Sequence, residues 1–176
     1  MAIRPVLKMG HPLLRQVALP VVRFDQDLQA LIADMDDTMR SLSGAGIAAP
    51  QIGVSQRVVI FEVRENPRYP QVAPVPYTVL VNPELTALGD EAEEGWEGCL
   101  SVPGMRGLVP RYRRLRYRGF DQHGAGIDRT VEGFHARVVQ HEVDHLDGIL
   151  YPQRIQDLRN FGFEDVLLGQ MTPMPD

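Results

Sequence analysis

Between residues 27 and 42, apolar side chains recur every three or four positions. Leu28, Leu31, Ile32, Met35, Met39 and Leu42 share one side, and Asp34, Asp36, Asp37 and Arg40 the other. This spacing predicts an amphipathic helix over 27–42 that buries one stripe, with Asp25 or Asp27 capping its start. Residues 44–53 break the pattern. Val58-Val59-Ile60-Phe61-Glu62-Val63 is a β-branched run and reads as a buried strand. Residues 64–76 carry Pro67, Pro70, Pro74 and Pro76 and read as a loop. Residues 77–81 read as a second strand, stopped by Asn82-Pro83, and a polar, acidic connection leads on to residues 95–103. Residues 114–118 alternate like a strand with one wet face; 121–124 read as a turn and 127–131 as the return strand. A second helix is predicted over 132–146, with Gly148 placed to cap it. Residues 149–176 are mixed and end in a Pro-containing tail. Short strands first and a buried helix late imply an α+β fold, small antiparallel sheets packed around a buried C-terminal helix, not repeated βαβ units.

Composition narrows the class. Of 176 residues, 44 % are hydrophobic and 23 % charged, which excludes disorder, collagen and coiled coil as the whole-chain answer. Length predicts one domain spanning 1–176, and no internal repeat is visible. The single cysteine excludes a disulfide framework within the chain and a four-cysteine zinc site. No run approaches the ~18 apolar residues of a membrane span, and Met1-Ala2-Ile3-Arg4-Pro5 lacks the apolar core of a signal peptide. With the free thiol, these features predict a cytoplasmic protein that does not meet a membrane. A net charge of −5 argues against nucleic acid as the main partner. Arg111, Arg113, Arg114, Arg116 and Arg118 read as a wet strand face balanced by nearby acids, in preference to an RNA-facing patch.

The chemistry concentrates in His141-Glu142-Val143-Asp144-His145. Helical positions four apart differ by only ~40° around the axis. Both imidazoles therefore leave one face, about one turn apart, as two ligands of one metal require. Glu142, about 100° from His141 on the helix, sits beside that metal, near enough to work on its water without being a ligand. A catalytic divalent metal usually takes three protein ligands and keeps one position open. Cys99, His11, His123, His135 or a carboxylate are the candidates for the third. Cys99 stands out within Glu97-Gly98-Cys99-Leu100-Ser101, between a glycine that allows close backbone approach and a stiffening Pro103. His11 before Pro12 reads as structural, His123 as exposed, and His135 lies ~120° away from His141 on the helix. Gly44-Ala45-Gly46-Ile47-Ala48-Ala49 matches G-x-G-x-x-A, but it follows a helix and runs into Pro50, the wrong context for a dinucleotide site. It reads better as an exposed backbone edge on which a peptide can pair, with the Gln51 amide at its end.

Three motifs thus stand in order: Gly44-Ala45-Gly46-Ile47-Ala48-Ala49-Pro50-Gln51, Glu97-Gly98-Cys99-Leu100-Ser101 and Gln140-His141-Glu142-Val143-Asp144-His145. Together they resemble the peptide deformylase family, and the resemblance extends from Met9-Gly10-His11-Pro12 to Gly148. It implies hydrolysis of the formyl group from N-formylmethionyl nascent peptides, with a transient ribosome contact. It implies one divalent metal ion per chain, Fe(II) first, with Zn, Ni or Co able to take its place. On the matching positions, Cys99, His141 and His145 are the metal ligands and Glu142 the general base and acid. Gln51 and the Leu100 backbone N–H are the oxyanion donors. Ala45, Gly46, Glu97, Gly98 and Arg106 line the substrate's course, and Phe134 and Val138 lie on the helix face that forms the methionine pocket. Arg137 lies on that face too, and with Val138 it resembles the organellar-type branch. Two other readings are a metalloprotease with two histidines and a distal carboxylate, which makes Cys99 incidental, and a non-catalytic, metal-stabilised ribosome-binding module, which has no use for Glu142.

Overall fold

The computed structural model describes residues 2–64 and 73–171. Helix α1 spans Gln26–Ser41, and the Asp25 carboxylate caps it by accepting from the Asp27 and Leu28 N–H groups. Strands β1 (Gly46–Ala48), β2 (Val58–Val63) and β3 (Val75–Ala87) follow. Then come β4 (Ala92–Cys99), β5 (Val102–Tyr112), β6 (Arg114–Phe120) and β7 (Gly126–Glu132). Helix α2 covers Gly133–Leu146, and the chain continues into β8 (Phe161–Phe163) and α3 (Glu164–Met171). All strand pairings within the two sheets are antiparallel: five strands in the order β1-β2-β3-β6-β7, and three in the order β4-β5-β8. Among the described residues, no helix is long and apolar enough to cross a membrane.

The period-two geometry of β2 explains why the run 58–63 has almost no polar side chain. Val58 and Ile60 face α1 and pack with Leu28, Ile32, Met35 and Met39. Val59, Phe61 and Val63 face the other way, onto Ala136, Val139 and Val143 of α2. The strand is buried on both faces, so no alternation survives in its sequence. A third apolar cluster, Val102, Val109, Leu150 and Tyr151 with Cys99 and Met105, seats the small sheet. Helix α2 is held between the two sheets, so even Arg137, Gln140, Glu142, Asp144 and His145 are buried.

Several sequence expectations change here. The second strand does not stop at Asn82-Pro83 but runs to Ala87. Asn82 adopts a left-handed φ of 50° at a bulge, and its side chain bonds both the N–H and C=O of Val21. The bulge absorbs the proline that would otherwise end the ladder. Residues 92–112, to which the sequence pattern assigns no strand, form the β4–β5 hairpin. Of the proline-rich loop 64–76, Val75 and Pro76 belong to β3, and residues 65–72 lie outside the described residues. Helix α1 ends at Ser41, leaving Leu42 outside it and exposed. Gly148 takes the left-handed φ of 73° just past the end of α2, as its capping role requires. The wet face of β6 is present: Arg116 pairs with Asp128 and Arg118 with Glu84, all exposed, while on the adjoining turn Arg113 pairs with Glu91. Arg111 departs from that reading, because it is buried.

Candidate metal centre and cleft

Cys99 ends β4, pairs with Val102, and leaves Leu100-Ser101 as the two-residue turn of the hairpin. That turn carries the thiol to the foot of α2. There the ligand atoms of Cys99, His141 and His145 lie within 4.8 Å of one another, and no other cluster of this kind occurs among the described residues. The Cys99 Sγ is 3.4 Å from His145 Nε2. The two rings, one helical turn apart, have centroids 5.2 Å apart, and His141 stacks on Tyr151. The third group at this reach is the Cys99 thiol, and no carboxylate joins the cluster among the described residues. The other histidines go where the sequence put them. His11 Nδ1 accepts from Leu13 N–H in a short turn, His123 is exposed, and His135 packs against Phe61 and Tyr117.

Burial opposes ionisation of the Cys99 thiol, but the adjacent His145 and His141 outweigh it and bring its pKa well below the usual thiol value. Burial likewise opposes a charged His141, but Cys99 and then Glu97 hold it well above the ordinary imidazole range. Thiolate and imidazolium thus stabilise each other. This donor set, one soft thiolate and two imidazoles at mutual bonding reach, fits a divalent transition metal.

Glu97 orders the outer side of the site. Its Oε2 accepts from His141 Nδ1 at 2.8 Å and from Arg111 Nη2 at 2.9 Å. Its Oε1 accepts from Arg111 Nε and Arg137 Nη1, both at 2.9 Å. Burial opposes the charge on Glu97; His141 and then Arg111 outweigh it, leaving the carboxyl well below the usual range. With Nδ1 donating to Glu97, the His141 Nε2 is left as the nitrogen that could ligate a metal. Arg111 also donates to Asp144, which Arg154 grips from the other side. Asp144, Arg111 and Ser101 are supporting residues to which the motifs gave no role, and Arg137, placed by the resemblance on the methionine-pocket face, joins them by bonding Glu97. Asp144 lay in plain view inside the histidine motif, whereas nothing in the arginine run separated Arg111 from its solvated neighbours.

Glu142 is buried beside the two histidines, and its Oε2 has no hydrogen-bond partner among the described residues. Burial pushes its pKa up to about 7, against the lowering pull of His141 and His145. Gln51 is pinned at both ends. Its Oε1 accepts from Ala48 N–H at 2.9 Å, and its Nε2 donates to Ser101 Oγ at 3.0 Å with Cys99 Sγ 3.6 Å away. This holds the amide at the rim of the cluster.

Above the cluster opens a cleft of about 770 Å³. Ala45, Gly46, Gln51, Glu97, Gly98, Cys99, Leu100, Arg106, Phe134, Val138, His141 and Glu142 all line it, and His145 lies behind them. Strand β1 is the edge of its sheet, and its first residue, Gly46, borders this cleft together with Ala45, a backbone edge of the kind on which an extended peptide can pair. Arg106, at the cleft wall, donates to Glu164 of α3 at 2.9 Å.

A buried carboxylate poised beside a soft donor set, at the floor of an open cleft, does the work of a metal-dependent hydrolase, and that is the class this fold and site define. The family described as polypeptide deformylase matches residues 3–161. The chain belongs to that family, whose members are enzymes that remove N-formyl groups. It is 64 % identical to peptide deformylase 1 of Nitrosomonas europaea over 99 % of both chains, and 62 % identical to peptide deformylase 2 of Ralstonia nicotianae over 96 % of both. The class I type b peptide deformylase of Acinetobacter baumannii, solved with Met-Ala-Ser bound, matches with a TM-score of 0.84 at 42 % identity, covering 88 % of this chain and 99 % of that one.

Proposed function

We propose that residues 1–176 form one catalytic unit that removes the formyl group from N-formylmethionyl nascent peptides and releases formate. Cys99, His141 and His145 hold the metal, with Fe(II) the favoured ion. The observation that carries this reading is the meeting of those three ligand atoms within 4.8 Å beside the unpartnered Glu142 oxygen. A divalent ion held there supplies Lewis acidity, which makes water a usable nucleophile at neutral pH.

Glu142 accepts a proton from the attacking water and later returns it to the leaving amine. A carboxyl group near neutral pKa suits both transfers, and burial provides it. As the formyl carbon becomes tetrahedral, negative charge grows on its oxygen. The Gln51 amide and the Leu100 backbone N–H donate to that oxygen. Ala48 and Ser101 hold the amide in advance, so little reorganisation remains for the moment of reaction. The peptide runs along β1 at Ala45 and Gly46, bonding through its backbone, so its sequence beyond the first residue matters little. Glu97, Gly98 and Arg106 flank its course, and Phe134 with Val138 receives the methionine side chain. A substrate made at the ribosome puts the enzyme in the compartment of translation.

The test is formate release from a formyl-Met tripeptide by the Fe(II)-loaded protein, beside the Cys99→Ala variant. Formate release with loss of metal from Cys99→Ala is the expected result. A Cys99→Ala protein that keeps metal and full activity overturns the ligand assignment.

A further inference from the structure

Arg137 and His141 stand four residues apart on α2 and so share one face of the helix. Both reach the same carboxylate: Arg137 Nη1 meets Glu97 Oε1 at 2.9 Å, and His141 Nδ1 meets Glu97 Oε2 at 2.8 Å. The guanidinium is also committed to the small sheet. The same Nη1 donates to Val109 O at 2.8 Å and makes a longer contact with Gly95 O at 3.4 Å, and Nη2 donates to Glu93 O. The Arg137 side chain is 11 % exposed. The guanidinium lies so close over Gly95 that a Cβ there would sit 2.7 Å from its central carbon. Only a residue without a side chain leaves that space.

The two metal-site imidazoles differ in their outer nitrogens. His141 Nδ1 has Glu97, while His145 Nδ1 is buried and has no hydrogen-bond partner among the described residues. The orienting of the histidine pair therefore falls on Glu97. Arg111 grips Glu97 from β5, within the same sheet. Arg137 grips it from the helix that carries the histidines, and ties β4 and β5 to that helix through three backbone carbonyls.

We propose that Arg137 is a positioning residue for the metal centre. By clamping Glu97 and the β4 backbone onto α2, it fixes the ring of His141 relative to the Cys99 sulfur. It acts through Glu97 and does not touch the reacting atoms. This inference rests on the reading of Cys99, His141 and His145 as the metal ligands. Although Arg137 lines the cleft, its charged end faces the sheet carbonyls and leaves Phe134 and Val138 to receive an apolar side chain.

The test uses the Co(II)-loaded protein, whose thiolate-to-cobalt absorption band reports ligation directly. Wild type, Arg137→Leu, Arg137→Lys and Gly95→Ala are compared for the band, the rate of cobalt release to a chelator, and the kcat and KM of a formyl-Met tripeptide. Arg137→Leu is expected to shift the band and weaken metal retention by about 10- to 100-fold, the scale seen when a partner behind a metal ligand is lost. Its KM is expected to change little, and Arg137→Lys to recover part of the retention. Gly95→Ala, which displaces the guanidinium without removing it, is expected to shift the band the same way, and it decides the matter if Arg137→Leu fails to fold. An unshifted band and wild-type release in the folded variants, with KM raised instead, overturn the inference and make Arg137 a wall of the methionine pocket. A wild-type protein without the thiolate band overturns the ligand reading itself, a distinct failure.

Discussion

Gly46 and Glu142 fit together with no room between them: a Cβ on Gly46 would lie 2.6 Å from the Glu142 carboxyl carbon. The edge strand that borders the cleft therefore also sets the position of the buried carboxylate. Gly46→Ala is expected to displace Glu142 while leaving the metal bound, since Gly46 is not one of the ligand residues. Misplacing a reacting group by about 1 Å costs on the order of 10²-fold in rate. Glu142→Gln, which removes the base in place, is expected to lose at least ~10²-fold in kcat and also keep its metal. Metal analysis beside steady-state kinetics checks both, and a Gly46→Ala enzyme with wild-type kcat would remove this packing from the mechanism.

Gln51, proposed above as an oxyanion donor, also bonds Ala48 and Ser101. Losing an oxyanion donor costs about 3–4 kcal/mol of transition-state stabilisation, or ~10²–10³-fold in kcat. Losing its bonds to Ala48 and Ser101 leaves buried polar groups unpaired, at about 1–3 kcal/mol of fold stability. Gln51→Ala is thus expected to lower kcat and the melting temperature together, with KM little changed. Gln51→Glu is expected to be at least as damaging to kcat, because a carboxylate offers no donor to the growing charge. A folded Gln51→Ala protein with unaltered kcat would leave the residue a purely structural role.

Metal uptake is expected to expel a proton. His145 and His141 hold the Cys99 thiol well below its usual pKa, and Cys99 and Glu97 hold the His141 imidazole well above its own, so between them the pair carries one proton more than a metal site can keep. A ligating imidazole must be neutral, so loading the site near pH 7 is expected to release about one proton, and affinity is expected to fall as pH falls. Titration of weakly buffered protein with Zn(II) and a pH indicator measures it. Uptake with no proton released would contradict the imidazolium–thiolate pairing.

Glu97 links the site to acid stability. Its folded pKa is depressed below the ordinary value of 4.5. The stability it contributes is therefore complete above pH 4.5 and is lost progressively as pH falls below that value. Glu97→Gln leaves Arg111 and Arg137 buried against a neutral partner, a loss on the order of 3–5 kcal/mol at neutral pH. The variant is expected to lose less further stability than wild type on going down to about pH 3. Urea melts at both pH values compare them, and parallel losses in the two proteins would show that Glu97 is not the acid-sensitive group.

Where the pattern is local, the chain reads correctly. The two helices, the 58–63 run and the hairpin at 121–124 each carry their own period or turn chemistry, and the His141–His145 spacing is a property of one helix. The β4–β5 hairpin was illegible because its strands hold Glu93, Glu94, Pro103 and Gly104, residues that discourage strand assignment and are tolerated here by pairing and a bulge. Residues 82–83 look like a stop until the Val21 backbone is brought to Asn82 from far along the chain. Arg111 and Arg137 carry the same letter as solvated arginines. Only the tertiary fold sets a carboxylate and strand carbonyls against them, and with that their burial becomes affordable.

The three proposed ligands come from two different elements, a hairpin tip of the small sheet and a helix packed against the large one. An ion shared between them works as a removable staple across the seam. It favours the state in which the hairpin is docked, by an amount that grows with the logarithm of free ion concentration. The melting point of this protein is therefore expected to depend on the solution as much as on the chain, and to read out how much metal is within reach.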